Sequence, residues 1–380
     1  MALFTRFVIL AVLLQSFTAI FAAPQDGDVE VQGRPGGGGP GGPKPPKCRK
    51  IEVRKEWRDL TKKQRRDYIR AVKCLQAKPS TAFNPPRPGV VSRYDEFQAS
   101  HYDLAHHIHP VGQFLHWHRH FVTLYNKALK EECGYKGPAT YWDWTRDADG
   151  PLPMASSPVF DNVEGFGGNG VPGTYTPPPN IPEFPGPDWP EDFPFPVPPP
   201  FPGTLNGPQG EVGCVQTGPF ADQVVRLGPA TLVMDRCLVR GIFEDVKDNL
   251  NSTVIAATLA QPTFDDFRLF LDVVGPPLEP NTGIHLAGHA VVGGLMVDGW
   301  SAPGDPLFYL HHGNLDRIWA KWQALDPNRL TEVSGTTTAW PPYTNLTLDF
   351  LMPFTTLSPP VAIKDVMNTE AWPNCYRYND

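Results

Sequence analysis

The 380-residue sequence has little excess charge of either sign, with 33 Lys and Arg against 40 Asp and Glu and a formal net of −7. A basic face for nucleic acid is therefore not expected. Beyond residue 23 no apolar run is long enough to cross a bilayer, so no membrane partner is expected once an N-terminal signal is removed. No two cysteines stand at C-x-x-C spacing, which excludes the common zinc-knuckle and dithiol redox motifs. The Glu-x-x-His pairs of di-iron carboxylate sites are missing, and so is the H-E-x-x-H of a zinc protease. There is no internal repeat of fixed period.

What is abundant is proline, 45 residues, together with 35 glycines, a bias that favours long irregular connections over regular elements. Residues 1–22 read as a secretory signal: Arg6, then the apolar run from Phe7 to Leu14, then small residues at Ala22 and Ala23. Residues 23–47 form a Gly/Pro-rich tether, GRPGGGGPGGPKPPK in its latter part, which cannot bury a core. Ordered sequence is expected over 48–380, interrupted by a Pro-rich insertion at 171–208 that admits neither helix nor central strand. Six cysteines, Cys48, Cys74, Cys133, Cys214, Cys237 and Cys375, suit three disulfides in a secreted, extracellular chain, with fifteen pairings open. Sequons at Asn251 and Asn345 agree with that compartment.

Helical periodicity runs over residues 54–75, where Trp57, Leu60, Tyr68, Ile69 and Val72 share a face and Thr61 with Gln64 offers a capping box partway along. Further helices are predicted at 112–132 and 221–248, with shorter ones at 264–271, 285–290 and 314–325, the last stopped by Asp326-Pro327. The fold class is mainly α, with long coil excursions and few short strands.

All eleven histidines fall in two blocks, seven from His101 to His120 and four from His285 to His312. Imidazole is the common protein ligand of copper, zinc, iron and nickel. His285 and His289 are four apart, which on a helix turns both rings to one side, and either His311 or His312 could complete a trio. In the first block His101, His109 and His118 are separated by eight and nine residues. Three imidazoles from each block leave open positions on each metal, as activation of O2 requires, and ligation by nitrogen alone favours copper. His106, His107, His116, His120 and His311 read equally well as scaffold. Two other patterns carry less. G-F-G-G-N-G at 165–170 has no strand before it and reads as a flexible loop. HWHRH at 116–120 lacks the nearby cysteine that a blue-copper oxidase needs.

At these residues the sequence resembles the tyrosinase and catechol oxidase family of binuclear type 3 copper proteins, most of all its short secreted fungal polyphenol oxidases. The likeness rests on FLHWHRHF at 114–121, YWDW at 141–144, HLAGH with VVGG at 285–294, DPLFYLHHGNLDRIWAKWQ at 305–323 and the closing YRY at 376–378. It implies a four-helix bundle wrapped in coil and holding two copper ions per chain. His101, His109 and His118 would bind the first ion, and His285, His289 and His312 the second. Asp316 matches a residue that orients a ligand imidazole, and Phe308 an aromatic packed beside the metals. Arg54 and the Tyr376–Tyr378 motif match the pair that closes the core. The preferred disulfide pairing is Cys48–Cys375, Cys74–Cys133 and Cys214–Cys237.

The implied activity is oxidation of small phenols with O2. Many relatives cross-link a cysteine to a histidine two residues before the second ligand; here that position is His107, so no thioether is expected. Where relatives with strong monophenol hydroxylation carry Asn, this chain has Leu286. Leu286 and Ala290, both apolar, are expected to flank the substrate entrance, and Glu279 is the candidate for the family's water-orienting glutamate. Catechol oxidation is therefore expected to exceed monophenol hydroxylation. A tyrosinase, an o-aminophenol oxidase and a haemocyanin-like O2 carrier remain the alternatives. Because the sequence ends just after Tyr378, latency through a C-terminal plug is not expected, unless the Pro-rich insertion serves as a cover.

Overall fold

Thr61 starts a helix as expected: its hydroxyl accepts from Gln64 N–H while the Gln64 side chain reaches back to the Thr61 N–H. The resulting helix α1, Lys62–Ala77, buries Tyr68, Ile69, Ala71, Val72 and Leu75. Its predicted N-terminal half is not helical. Glu52–Glu56 is strand β1 and Trp57–Asp59 a single 3-10 turn, because β1 pairs in parallel on both sides, with β2 (Thr140–Tyr141) and with the chain's last strand, Tyr376–Tyr378. Tertiary pairing there overrides local periodicity.

The computed structural model describes residues 47–181, 212–272 and 283–379, which lie in one compact unit, Pro45–Asp380. The signal, the tether up to residue 46, most of the Pro-rich insertion and Glu279 fall outside the described residues. Helix α2, Arg93–Ile108, was not anticipated; it is capped by Ser92 and Asp95. Helix α3 is Phe114–Glu131, close to the predicted 112–132. A short α4, Thr145–Ala148, leads into coil and then β3, Gly170–Pro172. β3 is an edge strand on β4 (Gly213–Val215), which also pairs with β7 (Val239–Arg240). An edge is where Pro172 can sit without breaking a ladder.

The predicted helix at 221–248 is overturned. Val224–Leu227 and Val233–Cys237 form an antiparallel hairpin, β5 and β6, followed by β7 and a 3-10 segment at Glu244–Leu250. Gly228-Pro229 lies at its tip, with Gly228 at φ +94°, and neither residue supports a helix interior. Helix α5, Ser252–Leu259, is capped by the Asn251 side chain; α6 is Phe264–Asp272, α7 Ile284–Ala290 and α8 Leu307–Ala324, seven residues longer at its start than predicted. Strands β8 (Leu351–Met352) and β9 (Val361–Ala362), helix α9 (Ile363–Val366) and β10 (Tyr376–Tyr378) complete the chain.

All three preferred disulfides are present, and no cysteine is free for a thioether. Cys48–Cys375 ties the start of β1 to β10, and Glu52 N–H donates to Cys375 O at 2.9 Å. Among the described residues no helix is long and apolar enough to cross a membrane. The 165–170 loop is held rather than loose. Arg240, buried and paired with Asp305, donates to the carbonyls of Phe166, Gly167 and Gly168 at 3.1, 2.8 and 3.3 Å. A phosphate cradle needs N–H groups turned inward, and this loop turns carbonyls inward.

Candidate metal centre

Four helices carry the histidines: α2 and its C-cap hold His101 and His109, α3 holds His118, α7 holds His285 and His289, and α8 holds His311 and His312. α3 packs against α2 and α8, and α8 against α7. This brings ligand atoms of His101, His109 and His118 within 4.8 Å of one another, and likewise those of His285, His289, His311 and His312. The two groups face each other: the His118 and His312 rings stack at 4.3 Å with 13° between planes, and His109 lies parallel to His285 at 6.1 Å. Phe308 stacks on His312 at 4.2 Å, and Phe114 sits 4.6 and 4.5 Å from His118 and His285.

The nitrogen pattern fits metal ligation. Nδ1 of His101, His109 and His118 is bonded to the carbonyls of Trp300, Ala105 and Phe114 at 2.8, 3.0 and 2.8 Å, which fixes each ring's rotation. Nδ1 of His285 is bonded to Asp272 Oδ1 at 2.6 Å. Nε2 of His101, His118 and His285 is buried without a protein partner, a costly arrangement for a polar atom unless another ligand completes it. Burial first, then crowding by neighbouring imidazoles, pushes His101, His118, His289 and His312 well below the ordinary histidine pKa, and burial with His285 pushes His109 down to about 3. The neutral ring that results is the ligating form. With nitrogen donors alone, the set suits copper.

His311 is in the second group, yet it differs from His312. The Trp144 indole, which can only donate, gives its Nε1–H to His311 Nδ1 at 3.2 Å. Nε2 of His311 is buried without a protein partner, as in His101, His118 and His285, so both adjacent histidines stay candidates for the third ligand of the second group. The other scaffold histidines turn away: His116 packs on Trp319 and Phe264, His120 on Phe354, and His107 is exposed.

Asp316 does not do what the sequence likeness implied. Its carboxylate accepts from Arg119, Arg54, Tyr376 and Tyr378 rather than from a ligand imidazole. Arg54, with its guanidinium 3.2 Å from the Tyr376 ring centroid, belongs to this same cluster. The reason is direction: one turn beyond His312, Asp316 faces α3 and β10 instead of the imidazoles. The carboxylate that does touch a candidate ligand is Asp272, at the end of α6, which sequence reasoning missed. Thirteen residues separate it from His285, and no local spacing rule joins them. Trp144 was seen only as part of YWDW. Leu286 is half-buried beside His285, while Ala290 is 1% exposed and part of the core.

Residues 91–325 match the family model described as the common central domain of tyrosinase. Over 354 residues the chain is 35% identical to Tyrosinase P of Aspergillus terreus, covering 88% of this chain and 93% of that protein. It is also 35% identical over 357 residues to N-acetyl-6-hydroxytryptophan oxidase of Emericella nidulans, covering 86% of this chain and 92% of the relative. Among solved structures, a point mutant of a polyphenol oxidase from Thermothelomyces thermophila aligns with a TM-score of 0.73 and 32% identity, over 87% of this chain and 89% of that one.

Proposed function

The chain belongs to the tyrosinase family and is a copper oxidoreductase, and from that premise we propose that it oxidises o-diphenols (catechols) to o-quinones with O2, with limited hydroxylation of monophenols. His101, His109 and His118 would hold one copper ion, and His285, His289 and His312 the other. Bound there, the pair supplies the two-electron exchange between diphenol and O2. The protein contributes rigid placement: the carbonyls of Trp300, Ala105 and Phe114 set three of the rings before any metal arrives. Phe114 and Phe308 wall the imidazoles with apolar surface, which excludes water and strengthens polar contacts inside.

The observation that carries the preference for diphenols is Leu286, half-buried directly after His285. A monophenol must lose its proton before a second oxygen can be placed on the ring. Leu286 has neither donor nor acceptor to hold a water for that transfer. Ala290, one turn on, is equally inert, and Glu279 remains the proposed orienting carboxylate. Turnover on catechol should exceed that on L-tyrosine, and Leu286→Asn should raise the monophenol rate relative to the diphenol rate. Faster turnover of L-tyrosine than of simple catechols by the unaltered chain would sink this ordering. The second reading, substantial monophenol hydroxylation, is favoured by the names of two relatives, a tyrosinase and a hydroxytryptophan oxidase. The three disulfides and the signal-like N-terminus support secretion, with glycans at exposed Asn345 and at Asn251.

A further inference from the structure

The ring of His285 is held differently from the other rings whose Nδ1 contacts are defined. His101, His109 and His118 lean on neutral backbone carbonyls, whereas His285 leans on a carboxylate oxygen at 2.6 Å. We propose that Asp272 is a positioning residue for the second copper site, fixing the His285 imidazole with Nε2 toward the metal and making it a stronger donor than its neighbours. The inference rests on the ligand assignment made above.

The chain is built to make this contact. Gly283, the N-cap of α7, lies so close to the end of α6 that an added Cβ would meet Leu271 O at 2.5 Å and Asp272 C at 2.8 Å. Only a glycine lets the first turn of α7, two residues before His285, approach Asp272 this nearly. α6 in turn is fixed at its other end, where Ser334 Oγ donates to Asp265 Oδ1 at 2.7 Å. The Asp272 side chain is 14% exposed and lines a small cleft whose remaining wall includes Pro110, Phe114, Leu115, Phe264 and Arg268. A carboxylate accepts only, so the shared proton sits on His285 Nδ1 and the lone pair is left on Nε2, the atom that is buried without a protein partner. A carboxylate behind a ligating imidazole raises its basicity and pins its tautomer, and loss of such a partner typically costs about 10–100-fold in metal affinity.

Three measurements decide the matter. In 15N-labelled apoprotein, His285 of the unaltered chain should show the Nδ1–H tautomer; the Nε2–H tautomer overturns the proposal without any variant being made. In a chelator-competition titration, Asp272→Asn should weaken one of two coppers by about 10–100-fold and leave the other unchanged, with Asp272→Glu recovering most of the loss. The potential of the variant's weakened site should rise, since an anionic partner favours the oxidised ion. Retention of both affinities and of the potential by Asp272→Asn overturns it. If the unaltered chain binds no copper, the ligand assignment falls instead, while the tautomer measurement still stands.

Discussion

Arg119 Nε lies 2.5 Å from Asp316 Oδ1, and both side chains are buried. The same carboxylate accepts from Arg54 Nη1 at 3.4 Å, Tyr376 OH at 2.5 Å and Tyr378 OH, so α3, α8, β1 and β10 are joined at one residue. Arg119 and Trp117, His118's immediate neighbours, are thereby locked on opposite faces of α3, the tryptophan by its bond to Pro353 O. Removing the negative charge leaves two buried guanidinium groups without compensation. Asp316→Asn should destabilise the fold by about 3–5 kcal/mol. Urea unfolding of the apoprotein measures this, and a loss below 1 kcal/mol, the range of an exposed pair, would contradict it.

The same cluster sets an acid limit. Burial alone would raise the Asp316 carboxyl, but Arg119 and Arg54 with the two tyrosine hydroxyls hold it below the usual carboxylate value. Glu96 behaves alike: burial raises it, while the Ser80 hydroxyl, Arg93 and the N–H groups of Thr81 and Ala82 bring it down further than burial lifts it. A carboxyl with a depressed folded-state pKa contributes stability that is fully present above its unfolded value, near ~4, and is lost as pH falls through the folded one. Unfolding free energy should therefore fall steeply below about pH 4, and the Glu96→Gln curve should be flatter there. Parallel curves for the two proteins would rule out the contribution assigned to Glu96.

The even cysteine count, the capping box at Thr61 and the two histidine blocks are legible because each is a local or compositional signal, whereas the pairing over 327 residues of Cys48 with Cys375 is not. Helix α2 was invisible for a physical reason: the face it buries includes Asp95, Glu96, Gln98, Ser100 and His101, so its inward side does not read as apolar. The stretch at 221–248 has valines and leucines at helical spacing, but Gly228-Pro229 breaks it into a hairpin. Asp272, not Asp316, meets a candidate ligand imidazole because direction in space, not distance along the chain, decides which carboxylate reaches it. His311 and His312 both join the second group in space, so adjacency along the chain does not select between them.

Gly288 is the close contact that seats His311. A Cβ built there would overlap the His311 ring. Overpacking of this kind costs about 1–3 kcal/mol, yet Ala in a helix gains roughly 0.5–1 kcal/mol over Gly when space allows. Gly288→Ala should therefore destabilise the native chain but become neutral or stabilising when His311 is also Ala. A double-mutant cycle by denaturant unfolding reads the sign change directly. The same penalty in both backgrounds would mean that His311 is not what Gly288 accommodates.

Copper content separates the adjacent histidines. His311 Nδ1 lies 3.2 Å from the Trp144 indole Nε1, whereas His312 stands with Nε2 3.2 Å from His289 Nε2 and its ring stacked on His118. His311→Ala should retain two coppers per chain after gel filtration, and His312→Ala should retain one. The reverse pattern in the single variants, one copper without His311 and two without His312, would transfer the ligand role to His311.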